Sequence, residues 1–152
     1  TKIVGSLFIK RRKFMLKKTI TYTDFNGTER TEDYYFNLSK AELLEMEVGT
    51  TGGYAEKVQA IIDAKDSSDI MKIFKELLLK AYGEKSADGK RFIKIDDNGR
   101  PLAIAFEQTP AYSEIFMELA TDADAGSAFI NGILPADLIK EANKAALPKV
   151  VK

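Results

Sequence analysis

The chain has 152 residues, with 23 basic and 23 acidic side chains and neither cysteine nor histidine. Missing cysteine excludes disulfides, thiol nucleophiles and thiolate metal sites; missing histidine removes the commonest general base and the commonest zinc ligand. The length suits one domain with a real core, and 45% hydrophobic with 30% charged residues is the balance of a soluble globular protein.

The zero net charge hides an asymmetry. Residues 1–18 carry seven Lys or Arg and no acid, so the rest carries 16 basic against 23 acidic residues. An acidic body argues against a nucleic-acid surface on the domain itself. No apolar run is long enough to span a bilayer.

Residues 1–14, TKIVGSLFIKRRKF, read as a tag or as an extension upstream of a start at Met15. Their basic residues follow the apolar segment, the reverse of a signal peptide. Residues 18–24 alternate Ile20 and Tyr22 with Thr19, Thr21 and Thr23, a strand pattern. Asn26-Gly27 is a hairpin turn, and residues 31–38 are the return strand. The hairpin edge offers a binding surface and a route to homo-oligomerisation.

Ser39 and Glu42 form a capping box, with Leu38 and Leu43 as its staple, and start a helix that ends near Val48. A glycine loop, Gly49-Thr50-Thr51-Gly52-Gly53, connects it to a second helix over 53–65 marked by Tyr54, Val58, Ile61 and Ile62. The central stretch is SSDIMKIFKELLLKAYG, residues 67–83. Ile70, Ile73, Phe74, Leu77, Leu78 and Ala81 recur at helical spacing, and Met71, Leu79 and Tyr82 widen the apolar arc. Ser67 or Ser68 is its expected cap, and Gly83 its expected left-handed stop.

Residues 84–90 form a polar turn, residues 91–95 a short strand or the start of a helix, and residues 96–101 a second turn. Thr109-Pro110 starts a helix with Tyr112, Ile115, Phe116 and Leu119 on its apolar face. Asp122 caps another, burying Ala125, Phe129 and Ile133, and a last helix carries Leu138, Ile139, Ala142 and Ala146 before a tail at 148–152. The expected class is α+β: an N-terminal β-hairpin packed on a mostly helical domain, with 15–147 as one unit.

Catalytic and metal motifs fail on their residues. A calcium loop starting at Asp96 has Pro101 where the bend needs glycine, and one starting at Asp122 has Ile133 where a bidentate Glu belongs. There is no Gly-x-Ser-x-Gly elbow, and Ser127 has no histidine to activate it. No catalytic residue, metal ligand or cofactor is expected.

Three segments, YTDFNGTERTEDYYFNLSKAEL, IMKIFKELLLKAYGEKSADGKRFIK and AYSEIFMELATDADAGSAFINGILPADL, resemble the tail assembly chaperones of long-tailed bacteriophages. The likeness runs from Met15 to about Leu138; IDDNGRPLAIA is less similar, and residues 1–14 lie outside it. The resemblance implies a non-enzymatic protein of the host cytoplasm, absent from the finished virion. It implies that the chain binds the tape measure protein, keeps it soluble and helps recruit tail tube protein. It also implies a longer frameshifted form, diverging in the tail after Leu147. Holding a long apolar helical partner requires exposed apolar surface on a soluble body.

The expected partner surface is Phe116, Met117, Phe129, Ile130 and Ile133, because Met117 and Ile130 fall off the main apolar stripes. The competing reading places all five in the core. Two other functions compete: a structural tail or head-completion subunit retained in the virion, and a small DNA-binding regulator using the basic arm. Neither a membrane nor a nucleic-acid partner is expected.

Overall fold

A computed structural model of the chain describes residues 15–64 and 67–133. The extension at 1–14, Lys65, the last helix and the tail at 148–152 lie outside the described residues.

The architecture is α+β. Strands β1 (Leu16–Thr23) and β2 (Glu29–Phe36) form the antiparallel hairpin, in register from Leu16↔Phe36 to Thr23↔Glu29. The turn closes as expected. Asp24 Oδ1 accepts the N–H groups of Asn26 and Thr28 at 2.8 and 2.9 Å, and Gly27 takes φ 83°. Only glycine adopts that φ without steric penalty.

One face of the hairpin carries Lys17, Thr19, Thr21 and Thr23, all exposed, and the other carries Leu16, Lys18, Ile20 and Tyr22, partly covered. Period-two alternation over a half-buried sheet demands this split. Across the strands Thr19 donates to Asp33 at 2.6 Å, and the Thr21 and Thr31 hydroxyls are 2.9 Å apart.

Helix α1 (Lys40–Val48) begins on the capping box: Ser39 Oγ accepts from Glu42 N at 3.1 Å, and Glu42 Oε1 accepts from Ser39 N at 2.9 Å. Helices α2 (Tyr54–Ala64) and α3 (Ser67–Ala81) follow. Ile73, Leu77, Leu78 and Ala81 of α3 are buried, as the spacing predicts. Ser67 and Ser68 lie inside the first turn rather than ahead of it.

The expected stop at Gly83 is a correction. The helix ends at Ala81, and Tyr82 and Gly83 open strand β3 (Tyr82–Lys85), pairing with Phe36 and Tyr35 of β2. Gly83 is needed for space. A Cβ there would stand 2.5 Å from Phe92 Cε2 and 2.7 Å from the Ile93 carbonyl oxygen. Residues 91–95 resolve as a strand, β4 (Phe92–Ile93), completing a sheet of order β1-β2-β3-β4.

Helix α4 (Leu102–Glu107) was not foreseen; it is short and has no side-chain cap. Helix α5 (Pro110–Thr121) starts at Thr109, whose hydroxyl accepts from Tyr112 N at 3.1 Å. Helix α6 (Ala123–Ile133) follows Asp122, whose Oδ1 accepts from Asp124 N and Ala125 N.

Helices α5 and α6 pack on β1, and α4 packs on β3. Phe36 contacts Phe106 of α4 and Phe129 of α6 from the same face. One layer of helices therefore covers one face of the sheet, and the polar face stays in water.

Lys94 ties the layers together. Its Nζ donates to Asn37 O at 2.8 Å, to Lys80 O at 2.7 Å and to Glu42 Oε2 at 2.7 Å. Those three bonds use all three ammonium donors. They join the end of β2, the last turn of α3 and the first turn of α1.

Candidate partner-binding surface

The aromatic residues form a continuous run of rings through the core. Phe36 is fully buried and meets Phe129 at 5.4 Å and Phe106 at 5.9 Å, both edge to face. Phe106 meets Tyr112 at 5.5 Å, edge to face, and Tyr112 stacks on Phe116 at 6.0 Å. The run links Phe129, buried under the sheet, to Phe116, half-buried on α5. Such contacts add about 0.5–1.5 kcal/mol each beyond area burial, so they fix how α4, α5 and α6 sit together.

Against that frame the five expected partner residues separate. Phe129 and Ile133 are 2% and 1% exposed and belong to the core. Phe116 and Ile130 are partly buried and pack against it. Met117 is 55% exposed. The structure thus brings Phe116 and Phe129 into one aromatic system and leaves Met117 in water.

Other large apolar side chains stand in water that the sequence reading did not place on the partner surface, and Met71, read there as part of a covered apolar arc, is one of them. Ile104 of α4 and Met71 of α3 are exposed. Their helices pack on α5 and on each other, so Met71, Ile104 and Met117 belong to one helical unit. On α1, Leu44 and Val48 are exposed four residues apart. A signal existed for these two: Leu43, Leu44, Met46 and Val48 are more apolar residues than one stripe of a nine-residue helix can bury.

A groove of about 640 Å³ opens between the sheet and α4. Tyr34, Tyr82 and Phe106 line its floor, with Tyr22, Glu32 and Glu84 at its sides. Both Tyr22 and Tyr34 donate to Glu32 Oε1, at 2.7 and 2.9 Å. Those two bonds hold the Glu32 carboxyl below its ordinary pKa. Burial, then the bonds to Tyr22 and Glu32, push the Tyr34 phenol far up. The phenol therefore stays protonated, and the carboxylate charged, at neutral pH. The groove can take an apolar or aromatic side chain and present one fixed negative charge. Among the described residues no group of three His, Cys, Asp or Glu side chains is placed to hold a metal ion. No helix among them is long and apolar enough to cross a membrane.

A family model described as phage tail assembly chaperone matches residues 15–152. The match begins at Met15, where the likeness was read to begin, and it continues past Leu138. No curated protein and no solved structure matches the chain.

Proposed function

The chain belongs to the phage tail assembly chaperone family, and from that premise we propose that it binds the tape measure protein, keeps it soluble and helps recruit tail tube subunits, all without catalysis. The observation that carries this reading is the exposed apolar set Met71, Ile104 and Met117 on three mutually packed helices. A tape measure, as the resemblance describes it, is a long and largely helical apolar chain. Such a chain needs apolar side chains to lie against until it is assembled. In this proposal Met117, Phe116 and Ile130 contact the partner, and Phe129 and Ile133 support them from beneath. The chaperone acts in the host cytoplasm and leaves before the virion is complete.

Co-expression with the neighbouring long helical tail protein tests the proposal, read by light scattering on a size-exclusion column. The expected result is a soluble co-eluting complex, with the partner insoluble when made alone. Rings or tubes of this chain with no effect on the partner, together with its presence in purified virions, would establish a structural subunit instead.

A further inference from the structure

We propose that the outer edge of β1 is a self-pairing surface, through which two copies of the chain join their sheets in an antiparallel dimer. The turn fixes which groups face that edge. Asp24 N–H donates to Thr28 O at 2.8 Å, so Asp24 and Thr28 form a hydrogen-bonded pair. Antiparallel ladders alternate between bonded and non-bonded pairs. Counting back along the register, Tyr22, Ile20 and Lys18 exchange bonds with Arg30, Glu32 and Tyr34. Lys17, Thr19, Thr21 and Thr23 therefore aim their N–H and C=O groups away from β2. Among the described residues no strand lies on that side, because β1 ends the sheet.

Eight residues of open edge present a template that a protein normally blunts. The usual devices are weak here. β1 contains no proline, and its bulge lies beyond the strand, at Gly27. Its two lysines are already matched with acids: Lys18 Nζ lies 2.7 Å from Glu118 Oε1, and Lys17 Nζ lies 4.0 Å from Asp33 Oδ2.

The sequence of β1 also complements itself. A two-fold axis at Ile20 sets Ile20 against Ile20 of the second copy. It sets Thr19 against Thr21, Lys17 against Thr23 and Lys18 against Tyr22. All four outward-facing residues then fall in hydrogen-bonded pairs, and no lysine opposes a lysine. Leu16 falls opposite Asp24, so the pairing runs the full length of β1. An isologous contact of this kind closes at two copies, so it makes a dimer and not a fibre.

The test uses the full 152-residue chain. Sedimentation across a concentration series is expected to show a monomer–dimer equilibrium. Thr21→Pro removes one outward N–H from each copy and leaves the β1–β2 ladder intact, since edge strands tolerate proline there. It is expected to weaken the dimer by about tenfold or more. If that variant unfolds, amide exchange on the parent decides. The amides of Lys17, Thr19, Thr21 and Thr23 should lose protection on dilution, while those of Lys18, Ile20 and Tyr22 keep it. A chain that stays monomeric at every concentration overturns the proposal. So does a dimer indifferent to Thr21→Pro, or protection of the four amides that dilution does not change.

Discussion

Tyr82 lies flat on Phe106, with ring centroids 4.0 Å apart and planes 4° from parallel. The contact joins the strand that follows α3 to a helix with no side-chain cap of its own, so stacking holds α4 where local signals do not. It also buries the phenol. Burial first, then the carboxylates of Glu84 and Glu32, push the Tyr82 pKa from 10.0 up to about 12. The folded state thus keeps a proton that the unfolded chain gives up above pH 10. This contribution to stability is full below pH 10 and is lost as pH rises towards 12. Tyr34 and Tyr54 are shifted in the same direction. Tyr82→Phe should match the parent at neutral pH and lose less stability above pH 10. Urea midpoints measured at both pH values check this; parallel losses in the two proteins would refute it.

Lys94 has three acceptors and little water. Burial pushes its pKa down, against the opposing pull of Glu42. At Glu42 burial pushes the other way, but the Lys94 ammonium and the Ser39 N–H outweigh it, and the carboxyl is held low. Lys94→Met removes the ammonium and leaves the Glu42 carboxylate and two backbone carbonyls short of a donor. The expected loss is about 2–4 kcal/mol in denaturant unfolding. Because the Glu42 pKa is depressed, its contribution is present above the unfolded value of 4.5 and disappears as pH falls below it. In Lys94→Met that acid sensitivity should shrink.

Gly83 sits in an interior strand with Phe92 against it. Gly83→Ala puts a methyl where ring and carbonyl atoms already are. The expected loss is about 1–3 kcal/mol, the usual range for overpacking. Shortening Phe92 in the same chain should recover part of it, and thermal unfolding of the single and double variants measures that coupling.

Met117 and Phe129 should respond oppositely to a charge. Met117→Asp changes an exposed site, so its stability should stay within about 0.5 kcal/mol of the parent. Under the proposed function its capture of the tape measure protein should fall. Phe129→Asp buries a carboxylate among rings and should not fold. Circular dichroism with co-elution separates the two effects; full capture by a folded Met117→Asp would remove Met117 from the partner surface.

The parts of the fold read correctly from sequence are those governed by near neighbours. Ser39 with Glu42, Thr109 with Pro110, and Asn26-Gly27 each carry their partners within a few residues. Gly83 was misread because a glycine after a helix has two uses. What chose between them, the ring of Phe92, arrives only through strand pairing. Helix α4 escaped because LAIAFE spans under two turns and its anchor, the Tyr82 ring, lies far off in sequence. The exposure of Met117 was legible, because it falls off the stripe of Ile115 and Leu119. Phe129 and Ile133 are separated from it only by packing, because their spacing suits an inner or an outer face equally well.

The sheet is built from two local hairpins joined by one distant seam, Phe36↔Tyr82 and Tyr35↔Gly83. All of α1, α2 and α3 must be made between the two sides of that seam. At synthesis rates of roughly 5–20 residues per second, β2 waits about 2–10 seconds for its second neighbour. During that interval the nascent hairpin has two open edges, and Phe36, later the hub of the core, has neither Phe106 nor Phe129 to cover it. The order in which the ribosome delivers these strands leaves the hairpin open to mispairing, and the arrival of Tyr82 is the step that closes the inner of its two edges.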